Sequence, residues 1–115
     1  MKILLVDDDP PTLKVVRALL RAEGHEVETC LDGATAVERL RAGPYEVLLT
    51  DLVMPVMGGE ELIRQARALD PGLRCVVISG QPPRRGGEFE GTAWLSKPLD
   101  FDALLDALAA AAPTT

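Results

Sequence analysis

The chain has 115 residues, with 12 basic against 18 acidic side chains, a net charge of −6, and 47% apolar but only 3% aromatic residues. That length suits one domain that buries a core unaided, the core must be aliphatic, and an acidic chain with no Lys/Arg cluster on a helix is a poor nucleic-acid binder. No run approaches the roughly eighteen apolar residues of a membrane span, and the segment after Met1 lacks a signal-peptide layout, so a cytoplasmic protein is expected.

Lys2-Ile3-Leu4-Leu5-Val6 is an apolar run that halts at Asp7-Asp8-Asp9, the pattern of a strand buried on both faces. Pro10-Pro11 then opens a helix, because proline suits a first turn whose N–H groups have no partner, and Asp9 is placed to cap it. Leu13, Val16 and Leu20 share one face of that helix, and Glu23-Gly24 ends it. Val27 to Leu31 is a second strand nearer the sheet edge, since it carries Glu28 and Thr29. His25, the only histidine, precedes it as a solvated turn residue on which no partners converge. Ala36, Val37 and Leu40 give the second helix a narrow apolar face, and Gly43-Pro44 stops it.

The third strand, Val47-Leu48-Leu49-Thr50, ends at Asp51 and runs into Leu52-Val53-Met54-Pro55. Gly58-Gly59 starts a third helix with Leu62, Ile63, Ala66 and Leu69 facing inward, and Asp70-Pro71-Gly72 is a turn. Cys75 to Ile78 is a fourth strand closed by Ser79-Gly80, and Ala93-Trp94-Leu95 is a fifth, followed by Lys97-Pro98. Between them, Gln81 to Gly91 holds paired prolines, paired glycines and no apolar face, so a helix there is absent or about one turn long. Its Arg84-Arg85 doublet reads as part of a solvated loop. Phe101, Leu104, Leu105 and Leu108 stripe the last helix, which frays into Pro113-Thr114-Thr115.

Strands alternating with helices imply an α/β fold: a five-stranded parallel sheet with right-handed crossovers, covered on both faces. In the flavodoxin-like, doubly wound order 2-1-3-4-5, the order reverses between the first and third strands, and ligands collect at their carboxyl ends. Asp7, Asp8 and Asp51 would meet there although far apart in sequence. A compact anionic pocket of this kind wants a hard cation. Cys30 and Cys75 each lie inside a predicted strand without metal-ligand spacing and read as core thiols.

ILLVDDD, LLTDLVMPVMGG, VVISG and LSKPL, in that order and at these intervals, resemble the receiver domain of two-component response regulators over essentially all of residues 1–115. The resemblance implies that Asp51 is the phosphoacceptor and that Asp7 and Asp8 bind Mg2+, Asp8 directly and Asp7 through water, with the Val53 backbone carbonyl as a further ligand. It also implies that Ser79 is the switch hydroxyl, Lys97 the active-site cation and Trp94 the switch aromatic. The Lys97-Pro98 peptide is then expected to be cis, a geometry open to a bond that precedes proline. The implied partners are a histidine kinase or histidine phosphotransfer protein as donor and an unidentified output protein, with no direct nucleic-acid binding and no membrane. What is expected is a single receiver domain with no effector domain, free-standing by its initial Met1 and monomeric. It is expected to be no enzyme beyond magnesium-dependent self-phosphorylation and slow self-dephosphorylation.

The chemistry of the residues agrees with those roles. Two carboxylates about 4 Å apart repel by about 4 kcal/mol at an effective dielectric near 20, so three in one crevice destabilise the fold until a cation arrives. With Asp51 as nucleophile, catalysis reduces to positioning and charge neutralisation by the metal, Lys97 and the Ser79 hydroxyl. Val53, two beyond Asp51, cannot orient an attacking water, whereas Gln81, two beyond Ser79, is placed to do so.

Plainer readings stand beside these: the acidic triplet as a helix cap, Asp51 and Ser79 as strand ends, Lys97 as the approach to a helix. A flavin mononucleotide carrier would need an N–H-rich loop where the three aspartates stand, and a phosphohydrolase built on Asp51 would need an acid at Val53. A phosphorylation-independent interaction module, or pseudo-receiver, is the remaining alternative. Against the family pattern, Gly58 stands where aspartate is common, and Trp94 is bulkier than the usual tyrosine or phenylalanine.

Overall fold

Five parallel strands form one sheet in the order β2-β1-β3-β4-β5, in a computed structural model that describes residues 1–111. They are β1 (Lys2–Val6), β2 (Glu26–Cys30), β3 (Val47–Asp51), β4 (Arg74–Ser79) and β5 (Ala93–Ser96). Helices α1 (Pro10–Ala22), α2 (Gly33–Ala42), α3 (Gly59–Leu69) and α4 (Phe101–Ala111) cover it. The flavodoxin-like architecture expected from the sequence is therefore the one observed. The expected fraying at Pro113-Thr114-Thr115 lies outside the described residues.

The layering follows from strand alternation. Leu4, Val6, Leu48, Cys75 and Val77 point to one face, where Val37, Leu62, Ile63 and Ala66 of α2 and α3 meet them. Ile3, Leu5, Leu49, Val76 and Ile78 point to the other, against Leu13, Val16, Leu20, Leu104 and Leu108 of α1 and α4. Each fully buried leucine or isoleucine contributes roughly 1.5–3 kcal/mol. Asp9 caps α1 by accepting the Thr12 N–H at 3.2 Å, and Asp32 caps α2 by accepting that of Thr35 at 2.7 Å. Gly58 provides α3 with no side-chain cap, leaving Glu60 and Glu61 to favour its positive end.

The interval before β5 contains a single 3-10 turn, Gly87–Phe89, so the short or absent fourth helix is confirmed. The interval has no apolar face, as expected, yet one of its residues anchors it to the core. Phe89 is 6% exposed and meets Trp94 edge-on with ring centroids 5.4 Å apart. Arg67 of α3 clamps the same segment, donating to the carbonyls of Glu88 and Glu90 at 3.0 and 2.6 Å and to Thr92 Oγ1 at 3.2 Å. Arg84 lies exposed in a solvated loop, as expected, and pairs there with Glu60 at 3.2 Å.

Three smaller expectations also change. Leu69 is 44% exposed, because it sits in the last turn of α3 where the chain peels away into Asp70-Pro71-Gly72. His25 is half-buried, with Nδ1 3.2 Å from the Met1 amino nitrogen, so one partner does reach it. Lys14, Arg17 and Arg21, dispersed in sequence, line one groove beside α1, so a helix does carry a basic cluster.

The loop after β3 contains one strained residue. Val56 adopts φ +67° and is fully exposed. A β-branched side chain there costs about 1–2 kcal/mol, and asparagine tolerates the conformation better. Val56→Asn is expected to stabilise the fold by about 1 kcal/mol and raise Tm by about 4 °C. A thermal melt showing no gain would contradict strain at this position.

Candidate functional site

The parallel register assembles one row of polar residues at the carboxyl edge of the sheet. Val6 is level with Thr50, so Asp7 and Asp51 stand side by side at the ends of β1 and β3. Asp51 is level with Ile78, which places Ser79 one step beyond it, and Ser79 is level with Ser96, after which Lys97 follows. The Lys97 backbone N–H donates to the Ser79 carbonyl at 2.9 Å, tying the ends of β4 and β5 together. The Lys97-Pro98 peptide is cis, as expected.

Asp7, Asp8 and Asp51 each bring a carboxylate oxygen into a cluster whose members all lie within 4.8 Å of one another. Asp7 and Asp51 are buried and Asp8 is exposed, so the cluster has dry walls and one open side. Lys97 Nζ lies 3.0 Å from Asp51 Oδ2. Among the described residues it is the cation that contacts this cluster, and one positive charge does not balance three negative ones. Burial pushes the Asp7 carboxyl above the ordinary carboxylate range, the charges of Asp51 and Asp8 add to that, and the Asp9 N–H and Lys97 offset it only in part. Burial alone would lower the Lys97 ammonium, but its contact with Asp51 and the field of Asp7 and Asp8 prevail, and the shift is upward. The donor set suits a hard divalent cation: all oxygen, anionic, and open on one side for water or further oxygen ligands.

Ser79 is 2% exposed, and its Oγ accepts the Gln81 N–H at 2.9 Å. The Gln81 carbonyl accepts the Trp94 indole N–H at 3.2 Å, and its side-chain oxygen accepts from Arg84 at 3.1 Å. Trp94 is partly buried against the core, where it contacts Phe89. A short hydrogen-bonded path thus links the hydroxyl at the crevice to the aromatic ring on β5.

The structure brings together Asp7, Asp8, Asp51, Lys97 and Ser79, and it connects Trp94 to them through Gln81. Val53 lies just beyond β3 with its side chain 60% exposed. Gly59 went unremarked in the sequence except as a helix start. A Cβ on it would lie 2.5 Å from the Asp51 carbonyl oxygen and 3.0 Å from Leu52 Cα. Its own N–H donates to the Leu52 carbonyl at 2.8 Å, so the start of α3 buttresses the backbone that presents Asp51. The Gly-Gly pair was the available signal; the close approach was not readable from it.

Residues 3–109 match the family model described as the response regulator receiver domain. The chain belongs to that family, and the acidic pocket is that of a two-component receiver domain. It is 42% identical over 79 residues to the response regulator receiver protein CpdR of Brucella abortus, an alignment covering 69% of this chain and 66% of CpdR, just under two thirds of that protein. Among solved structures, it resembles the chemotaxis protein CheY4 of Vibrio cholerae with a TM-score of 0.88 and 29% identity, over 96% of this chain and 98% of that one. The response regulator TrrA of Thermotoga maritima, solved in complex with Mg2+ and BeF, shares the fold with a TM-score of 0.88 and 23% identity over the same shares of each chain.

An acid whose pKa is raised by folding costs stability when ionised. The cost is absent below the ordinary carboxylate range, grows as the pH rises through it, and is complete above the raised value. Asn at position 7 keeps an oxygen for the Asp9 N–H but loses the charge. In EDTA at neutral pH, Asp7→Asn is expected to be more stable than wild type by about 1 kcal/mol, and MgCl2 should raise the wild-type Tm more than the variant's. A variant less stable than wild type in EDTA would refute the unbalanced-charge reading.

Proposed function

We propose that Asp51 accepts a phosphoryl group from a phosphohistidine on a histidine kinase or phosphotransfer protein, and that the modified chain binds an output protein differently. One observation carries this reading: a buried carboxylate, Asp51, sits within 4.8 Å of two others and 3.0 Å from an ammonium group. An Asp51 oxygen attacks phosphorus in line, the P–O bond forms as the donor's P–N bond breaks, and the imidazole leaves with the electron pair. Lys97 lies where it can follow charge onto a phosphoryl oxygen, and the Ser79 hydroxyl can turn from Gln81 to donate to another. Asp7, Asp8 and Asp51, with the Val53 carbonyl, would hold Mg2+, which when bound neutralises the transferring group's oxygens. The magnesium in the TrrA complex supports that choice of ion.

Turning Ser79 removes the acceptor for the Gln81 N–H. Because the Gln81 carbonyl also holds the Trp94 indole, a loop shift started at Ser79 reaches the aromatic ring directly. Two packings of this loop are the bistable element, and phosphorylation biases the equilibrium between them. Val53 has no polar group to orient a water toward the acyl phosphate, and the Gln81 side-chain oxygen is engaged by Arg84, so self-dephosphorylation is slow.

Acetyl phosphate with MgCl2 should add one phosphoryl group to wild type by intact mass and none to Asp51→Asn, and the label should decline slowly after desalting. Unlabelled wild type would favour the phosphorylation-independent module instead. Beryllofluoride with MgCl2 should shift Trp94 emission, and Gln81→Pro, which deletes the N–H that Ser79 accepts, should alter the emission of the unmodified protein toward the same endpoint. An emission spectrum indifferent to beryllofluoride at saturation would remove Trp94 from the switch.

A further inference from the structure

α1 carries Lys14, Arg17 and Arg21 and no acidic residue, within a chain whose net charge is −6. Spacings of three and four residues put these three side chains on one side of the helix. There they line a groove of about 500 Å3 between α1 and β2, with Leu13, Ala18 and Leu31 as its apolar surface. Leu31 is 52% exposed. None of the three cations has an ion-pair partner among the described residues. The acids on β2, Glu26 and Glu28, offer no relief, because strand alternation turns both to the opposite face, where Lys2 meets the first and Tyr45 and Arg39 engage the second. β2 is the outermost strand and β1 separates it from β3, so only the Pro10 end of the groove approaches the crevice and the rest runs away from Asp51.

We infer that this groove docks an acidic amphipathic helix of a partner protein, at a surface separate from the phosphoryl crevice. From Pro10 to Arg21 the groove runs about 16 Å along α1 at 1.5 Å per residue, the length of about three helical turns. Leucines on such a helix fill the apolar surface, and carboxylates spaced three and four apart meet the three cations. The chain's overall negative charge repels an extended polyanion such as duplex DNA, whereas a short acidic helix meets only the local positive stripe. This docking is independent of the chemistry at Asp51.

A display library of helical peptides panned against the full chain at low salt, with counter-selection on K14E/R17E/R21E, tests the inference. Recovered peptides should carry acids at the three-and-four spacing beside leucines, and should shift the NMR resonances of Lys14, Arg17, Arg21 and Leu31. The triple variant, and separately Leu31→Asp, should weaken binding about tenfold, with circular dichroism and acetyl-phosphate labelling of Asp51 unchanged. Peptides that bind the triple variant equally well, or that map to another surface, overturn the proposal. So does retention of a short DNA duplex, of phosphatidylglycerol vesicles, or of a second copy of this chain through these same residues in place of acidic peptides.

Discussion

Lys97 and Asp51 meet at 3.0 Å across the end of β4, and the rest of the crevice depends on that contact. Asp51 is 7% exposed, so its charge is withheld from water and needs a partner close by. Lys97 supplies one, yet Asp7 and Asp8 share the space, and the cluster remains short of positive charge. The fold tolerates this because the aliphatic core on both sides of the sheet carries the stability, freeing the carboxyl edge to hold an arrangement that disfavours itself. A site left unbalanced in this way suits a divalent cation, whose charge would supply what Lys97 alone does not.

Parallel pairing converts sequence separation into adjacency. Neighbouring strands run the same way, so their last residues end at one edge, and the register determines that Asp7, Asp51, Ser79 and Lys97 follow one another along it. The backbone beneath Asp51 is buttressed in turn by Gly59, where a side chain would collide with the Asp51 carbonyl. Positioning here is a property of the backbone first and of side-chain contacts second. That suits a proposed reaction in which the protein contributes placement and charge more than proton transfer.

How much of this was legible in the sequence divides by range of interaction. Apolar runs stopping at Asp7 and Asp51 report burial and strand ends directly, and the alternation with helical segments leaves few sheet topologies, so the fold and the acidic cluster were both readable. Leu69 misled because helical period assigns a face without saying where the layer beneath it ends. Phe89 was overlooked because a lone aromatic among glycines and prolines has no period, although its burial against Trp94 anchors the segment. The Arg67 clamp and the wall that Thr29 and Leu31 add to the α1 groove were invisible too, although the three-and-four spacing of Lys14, Arg17 and Arg21 was there to be read. Each joins residues from different elements, and a spacing rule sees only one element at a time.

The replacement of a fourth helix by a clamped loop bears on how a signal leaves the crevice. A regular helix is held by its own backbone ladder, so displacing it moves a rigid body. Here Gln81 to Gly91 has one 3-10 turn and is held by side chains: Arg67 on three oxygens, Arg84 between Gln81 and Glu60, and Phe89 against Trp94. Such a segment rearranges by exchanging a few contacts at little conformational cost, and opens more readily than the core. Gln81 stands at the junction, holding Ser79 through its N–H and Trp94 through its carbonyl. Any change at Ser79 is therefore felt first in the loop and then in α3 through Arg84 and Glu60. Under the proposed phosphorylation, the surface that reports the state of Asp51 would be built from the loop, Trp94 and α3 side chains, with no fourth helix.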